Sequence, residues 1–87
     1  MANIASQLKR IQRSERERQQ NRLYASQVKT HFRRLSAAVE SDDAAAIDVE
    51  HRKLESRIDH AVRVGAIHRN NGARKKARAA RLRAQAG

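Results

Sequence analysis

The chain has 87 residues, a formal net charge of +11, and neither cysteine nor proline. That length allows one small domain with a marginal hydrophobic core, so residues 1–87 are expected to form a single helical domain. The absence of cysteine excludes disulfide frameworks, cysteine-ligated zinc and thiol catalysis. No segment has the apolar length of a secretory signal or of a membrane span, which predicts a cytoplasmic protein with no membrane partner.

Charge divides the chain into three zones. Residues 1–36 hold nine cations and two acids, residues 37–64 hold four cations and seven acids, and residues 65–87 hold seven cations and no acid. Two strongly basic ends attract a polyanion, and fifteen of the twenty cations are arginines, whose planar guanidinium binds phosphate bidentately. Nucleic acid is therefore the predicted partner, and the acidic middle is expected to face solvent or the basic ends.

Helix one is predicted over about residues 4–40. Its second half carries an apolar stripe at helical spacing, formed by Val28, Phe32, Leu35 and Val39. Residues 12–22 contain no apolar residue, and a helix from residue 4 to residue 40 would be roughly 55 Å long, longer than its partners can cover. The N-terminal half is therefore predicted to project beyond the bundle. Ser14 and Glu17 also fit a capping box, an alternative in which helix one breaks near Arg13.

Helix two is predicted over about residues 43–64. Ser41, Asp42 and Asp43 are good N-cap residues, and Gly65 suits the left-handed position that ends a helix. The apolar stripe of this helix contains Ile47, Leu54, Ile58 and Val62. His51 lies on the same stripe and is interpreted as a structural residue.

Helix three is predicted over about residues 68–85, with Gly72 weakening its first turn. A thin stripe of small residues is expected to pack against the other two helices; it consists of Ala73, Ala77, Ala80 and Ala84. Three stripes on three helices predict an all-α fold, a three-helix bundle with a long N-terminal helix projecting beyond the bundle.

The cations of helix one lie on two sides of a helical wheel. Lys9, Arg13 and Arg16 share one side, and Arg18, Arg22, Lys29 and Arg33 share nearly the opposite one. Cations on both sides suit a helix wedged among several phosphate backbones, whereas a membrane-surface helix needs one wide apolar face. In helix three, Arg74, Arg78 and Arg81 share a side, His68 is placed to stack on a base or bind a phosphate, and Asn70 and Asn71 could contact sugar hydroxyls.

The sequence patterns typical of metal sites and of enzymes are absent from this sequence. The four histidines show no metal-ligand spacing, and no carboxylate pair, nucleophile triad or phosphate-binding glycine loop is present. We expect no enzyme, no cofactor, no metal and no small-molecule substrate. A solvated charged surface and a nucleoid-type DNA-binding architectural protein remain alternatives to RNA binding, and a membrane-active helix is a third.

Two motifs resemble one known family. The opening MANIASQLKRIQRSERERQQNR, followed by Lys29-Thr30 and Arg33-Arg34, resembles the S-twenty family of bacterial small-subunit (30S) ribosomal proteins. The segment GAIHRNNGARKKARAARL at residues 65–82 resembles the second signature of that family. The resemblance spans nearly the whole chain. It implies a structural constituent of the small ribosomal subunit in the cytoplasm, which binds the 5′ domain of 16S ribosomal RNA and helps assembly by bridging RNA helices alongside other 30S components.

The resemblance also implies which residues contact RNA. Carried over by position, with neighbouring polar residues of the same motifs added, they are Ser6, Lys9, Arg10, Arg13, Arg16, Arg18, Arg22, Lys29, Arg33, Arg34, His68, Arg69, Asn70, Asn71, Arg74, Lys75, Lys76, Arg78 and Arg81. The sequence departs from the family pattern at Ala5, Gln19, Gln20 and Gly72. No phosphate contact is therefore carried over to the first three.

Overall fold

The computed structural model describes residues 3–85, which form three consecutive α-helices. Helix α1 spans Asn3–Glu40, α2 spans Ala44–Arg63 and α3 spans Arg69–Ala84, and no strand occurs within these residues. The predicted all-α class and the long first helix are confirmed. Each helix boundary lies within one residue of its predicted position. Helix α1 continues through Ser14 and Glu17, so the alternative of a break near Arg13 is wrong.

The turn between α1 and α2 is set by two aspartates. Asp42 adopts a left-handed backbone conformation with φ 55°, which reverses the chain after α1. Asp43 caps α2, and its Oδ1 accepts hydrogen bonds from the backbone N–H groups of Ala45 at 3.2 Å and Ala46 at 3.3 Å. These bonds satisfy two of the donors that the start of a helix leaves free.

Gly65 ends α2 in the left-handed conformation predicted for it, with φ 80°. The N–H of Gly65 donates to the Val62 carbonyl at 3.1 Å, and the N–H of Ala66 donates to the Ala61 carbonyl at 2.8 Å. This pair of bonds is a Schellman motif, and it turns the chain towards α3.

The core lies where the second half of α1 meets α2. Its fully or nearly fully buried members are Val28, Phe32, Leu35 and Ala38 of α1, Ile47, Leu54, Ile58 and Ala61 of α2, and Ala79 of α3. His51 is 9% exposed and belongs to the same packed region, as its place on the apolar stripe predicted. In contrast, every residue from 4 to 20 is exposed. We call residues 4–20 of α1 the arm, and it projects beyond the bundle as predicted.

The face by which α3 packs differs from the predicted one. The four alanines of the expected stripe are all exposed, whereas Gly72 and Ala79 are buried and Leu82 packs against the core. A Cβ atom at position 72 would lie 2.5 Å from Cγ2 of Val62, so the absence of a side chain lets α3 approach α2 closely. Gly72 therefore defines the packed face, a role that its helix-weakening tendency concealed.

Candidate nucleic-acid interface

The arm presents cations on two sides without acidic partners. Its predicted RNA-contacting residues, Ser6, Lys9, Arg10, Arg13, Arg16 and Arg18, are all exposed. Lys9, Arg13 and Arg16 line one shallow groove along the helix, and Arg18 lines another with Arg22. Within residues 3–85, no cation of α1 forms a salt bridge with an acidic side chain. The charge of the arm is therefore available to an external anion.

A second basic surface lies between α1 and α3, and we call it the α1/α3 groove. Lys29 and Arg33 of α1 and Lys75 and Arg78 of α3 line a cavity of about 440 Å³. The guanidinium carbon of Arg78 lies 4.8 Å from the centroid of the Phe32 ring. This cation–π contact holds the arginine in place and leaves its N–H groups free to bind phosphate. The fold thus brings together predicted residues that are more than forty positions apart in the sequence.

The face of α3 opposite Gly72 and Ala79 is the outer face of this helix. At 100° per residue it contains Asn70, Arg74, Ala77 and Arg81, all of which are exposed. Alanine between two arginines leaves room for a phosphate backbone to approach the helix. Three of the predicted contact residues, Asn70, Arg74 and Arg81, therefore share one accessible face, and Ala77 lies in this face and not in the core.

His68 has a local structural role that the sequence reasoning missed. Its Nδ1 accepts a hydrogen bond from the Asn70 N–H at 3.1 Å, so the imidazole is the N-cap of α3. Because Nδ1 is an acceptor, Nε2 is the nitrogen left to donate to a phosphate or a sugar. Arg69, Asn70 and Asn71 follow in the first turn of α3 and are exposed, where the helix dipole also favours an anion.

Two cations of α3 hold the bundle together. Lys76, one of the predicted RNA-contacting residues, forms an ion pair with Asp59 of α2. Arg83 donates to Asp48 Oδ1 at 3.0 Å and lies 3.2 Å from His51 Nδ1. Because the guanidinium can only donate, Nδ1 of His51 accepts and Nε2 carries the ring proton. The acidic side of α2 thus faces a basic helix, in line with the expectation from the three charge zones.

Comparison with known proteins assigns the chain to a family. A family model described as ribosomal protein S20 matches residues 2–83. The chain belongs to the ribosomal protein S20 family. It is 49% identical over 89 residues to the small ribosomal subunit protein bS20 of Acaryochloris marina, covering 94% of this chain and 95% of the relative.

Other members of the S20 family are similar over most of their length. The small ribosomal subunit protein bS20 of Corynebacterium diphtheriae is 45% identical over 76 residues, which is 87% of each chain. The bS20c protein of Guillardia theta is 41% identical over 83 residues, covering 90% of this chain and 87% of the relative. The family predicted from the two sequence motifs is confirmed.

One basic surface of this S20 family member was missed by sequence reasoning. Lys53, Arg57 and Arg63 of α2 lie with Arg34 of α1 along a further groove. Burial and the neighbouring guanidinium groups of Arg34 and Arg57 lower the pKa of His31 in the same groove. The net charge of −3 over residues 37–64 concealed these cations, and separating the two sides of α2 on a helical wheel would have found them.

Among residues 3–85 no three side chains of histidine, aspartate or glutamate are grouped as metal ligands would be. None of the helices described here has the length and apolar character needed to cross a membrane.

Proposed function

We propose that this chain is a structural constituent of the small ribosomal subunit in the cytoplasm and binds 16S ribosomal RNA directly. The arm and the α1/α3 groove supply the contacts, and together they bridge RNA helices during assembly. The resemblance implies that these helices belong to the 5′ domain. The S20 family is one of structural ribosomal proteins, so the proposed role is positional and not catalytic.

The observation that carries the proposal is the arm. Seventeen consecutive residues of α1 are exposed, and their cations have no acidic partner among the described residues. A helix without tertiary packing is only marginally stable in water, and closely spaced like charges weaken it further. A polyanion that surrounds the arm reverses both effects, because it neutralises the charge and covers the helix.

The α1/α3 groove adds a contact of fixed geometry. Lys29 and Arg33 belong to the same helix as the arm, and Lys75 and Arg78 meet them across the groove. Phosphates bound here are held relative to those bound by the arm, because one continuous helix connects the two surfaces once the arm is bound. This connection lets a single small protein fix the relative position of two RNA segments.

The direct test is binding to a transcript of the 5′ domain over a salt series, with duplex DNA and unrelated structured RNA as competitors. We expect tight binding at physiological salt that survives both competitors, with a steep salt dependence from counterion release. An affinity that falls to the nonspecific level of about 10⁻⁴ to 10⁻⁶ M, with DNA competing equally, would contradict the proposal and favour a DNA-binding architectural protein.

Variants of the arm separate charge from bidentate geometry. Arg13→Gln with Arg16→Gln should reduce the slope of log affinity against log salt by about two contacts and weaken binding at every salt concentration. The matched control is Arg13→Lys with Arg16→Lys, which keeps the charge and should retain most of the slope. Equal binding by the wild type and the glutamine variant would show that Arg13 and Arg16 do not contact RNA.

A further inference from the structure

The first turn of α3 contains an asparagine followed by a glycine, Asn71 and Gly72, and the side chain of Asn71 is exposed. Asparagine loses its side-chain amide most readily in this dipeptide. The reaction begins when the backbone nitrogen of the next residue attacks the side-chain carbonyl carbon, and glycine hinders this attack least because it has no Cβ. The other three asparagines, Asn3, Asn21 and Asn70, are each followed by a residue with a larger side chain.

The packing of the bundle requires the glycine of this dipeptide. A Cβ atom at position 72 would lie 2.5 Å from Cγ2 of Val62, so any larger residue would push α3 away from α2. The close approach of the two helices therefore keeps a glycine directly after Asn71. The reactive dipeptide is in this way a consequence of how the helices pack.

Two hydrogen bonds to His68 keep the reacting groups apart. The N–H of Gly72 donates to the His68 carbonyl at 2.9 Å, and Nδ1 of the same histidine accepts from the N–H of Asn70 at 3.1 Å. Attack on the side chain of Asn71 closes a five-membered ring, which requires a ψ angle outside the helical range. The reaction therefore waits until the first turn of α3 opens, and the ends of helices open at a lower free energy than the packed core.

We propose that Asn71 is a site of spontaneous deamidation, and that the first turn of α3, capped by His68, controls its rate. In the opened turn the backbone nitrogen of Gly72 loses its proton to hydroxide and attacks Cγ of Asn71, which closes a succinimide ring. The Cγ–Nδ2 bond then breaks, and the leaving nitrogen takes a proton from water and departs as ammonia. Water opens the ring at either carbonyl and yields aspartate or isoaspartate. Because isoaspartate adds a methylene group to the backbone, it prevents the helical turn from forming again.

A carboxylate at position 71 changes the charge beside the α1/α3 groove. At 100° per residue, Asn71 lies within about 40° of Lys75 and Arg78, which line that groove. An acidic side chain four residues before a lysine attracts its ammonium group along the helix. The modification therefore reduces the positive charge that the groove offers to an anion. This consequence rests on the proposed function, whereas the modification itself does not.

The test is incubation of the free full-length protein at physiological pH and temperature, followed by proteolysis and tandem mass spectrometry of each asparagine. We expect Asn71 to deamidate before the other asparagines, but more slowly than in a synthetic peptide of residues 66–76, which has no bundle to hold its first turn. The ratio of the two rates should match the hydrogen-exchange protection of the Gly72 amide, because both report the breaking of its bond to the His68 carbonyl.

Variants of the cap test whether the first turn controls the rate. His68→Ala removes the side-chain acceptor, and loss of a cap increases opening of a helix start by about 2- to 30-fold, so deamidation of Asn71 should accelerate by that factor. The matched control is His68→Ser, which supplies another good N-cap and should retain the slow rate. Circular dichroism of each variant confirms that the helices remain.

The modification and its consequence fail in different ways. Deamidation of Asn71 no faster than that of Asn21 would overturn the site, and equal rates in the wild type and His68→Ala would overturn control by the first turn. For the consequence, Asn71→Asp should reduce the slope of log affinity for the 5′-domain transcript against log salt by about one contact relative to Asn71→Gln. Equal slopes would overturn the effect on the groove alone, and failure of the wild type to bind would contradict the proposed function without affecting the modification.

Discussion

Gly72 lies where α3 crosses α2, and its missing side chain has an energetic consequence that can be measured. Gly72→Ala gains about 1 kcal/mol of helix propensity. It also places a methyl group against Val62, whose β-branched side chain cannot easily move away, and overpacking of this kind costs about 1–3 kcal/mol. We expect a net loss of about 1 kcal/mol in the free energy of unfolding, measured by urea denaturation.

A second substitution checks the cause. In a Val62→Ala background the obstructing Cγ2 atom is absent, so Gly72→Ala should become stabilising by up to about 1 kcal/mol. The change of sign is the diagnostic result. Stabilisation by Gly72→Ala in both backgrounds would show that α3 does not need the close approach.

His31 makes stability depend on pH. Burial, followed by the charges of Arg34 and Arg57, lowers its pKa below the ordinary 6.5, while Glu50 acts in the opposite direction. The folded protein therefore binds this proton less readily than the unfolded chain, so the stabilising contribution is complete above 6.5 and is lost as the pH falls below it. Between about pH 7.5 and pH 5.5 the wild type should lose more free energy of unfolding than His31→Gln. Equal losses would contradict this assignment.

The structural roles of single residues were not equally predictable from the sequence. Asp43 and Gly65 were predictable, because capping and left-handed turns depend on residue type and on near neighbours. The N-cap role of His68 was not, because histidine is an uncommon cap and the ring was interpreted only as an RNA contact. The closeness of Gly72 to Val62 depends on how two helices cross, which no local pattern contains.

At the scale of the helix, α2 carries cations that oppose the stability of the free protein. Lys53→Gln with Arg57→Gln removes repulsion with Arg34, so the free energy of unfolding should stay the same or rise by a few tenths of a kcal/mol. Thermal denaturation of the free protein measures this change. A clear loss of stability would mean that these side chains hold the bundle together.

The two halves of α1 should differ in how strongly their backbone amides are protected from hydrogen exchange. Every residue of the arm is exposed, whereas the turns around Val28, Phe32 and Leu35 are buried. In free protein at physiological salt, backbone amides of residues 4–20 should exchange with solvent close to the rate of an unstructured peptide, and those of residues 28–38 should be strongly protected. Binding of RNA should raise protection in the arm. Strong protection of the arm without RNA would contradict its dependence on a partner.

The packed face of a helix was predictable where its buried residues form a periodic apolar pattern in the sequence. The stripes of α1 and α2 consist of large side chains, and their packed faces follow from spacing alone. Helix α3 has one large apolar residue within its bounds, Leu82, so four periodic alanines appeared to be its packed face. Alanine side chains can be either buried or exposed. The packed face of α3 is set instead by Gly72 and by the ion pairs with α2. The cations of α2 were hidden because a sum over residues 37–64 cancels opposite charges that the helix separates in space.

The whole molecule is thin and highly charged. It extends 66 × 21 × 13 Å and carries a formal charge of +11, and most of its cations are exposed, so they repel one another largely through solvent. Raising the salt concentration from about 20 mM to about 200 mM shortens the screening length and should weaken this repulsion more than it weakens the few ion pairs.

The free energy of unfolding should therefore increase with salt over this range, in contrast to the affinity for RNA, which should decrease. Chemical denaturation by urea, which is uncharged, measures the first quantity without adding ions. A free energy of unfolding that falls with added salt would show that the ion pairs between α2 and α3 outweigh the net charge.

The unpacked arm also affects how far the protein can reach before it is bound. As a helix, residues 4–20 span about 25 Å, whereas the same segment extended as coil spans up to roughly 55 Å. An exposed helix that is not packed against the bundle exchanges readily between these forms, so the arm of the free protein can reach up to about twice its bound length. Each turn of helix that the arm forms on a polyanion then shortens the distance between the bundle and that polyanion. Folding of the arm would in this way draw the bundle towards the surface that the arm touched first.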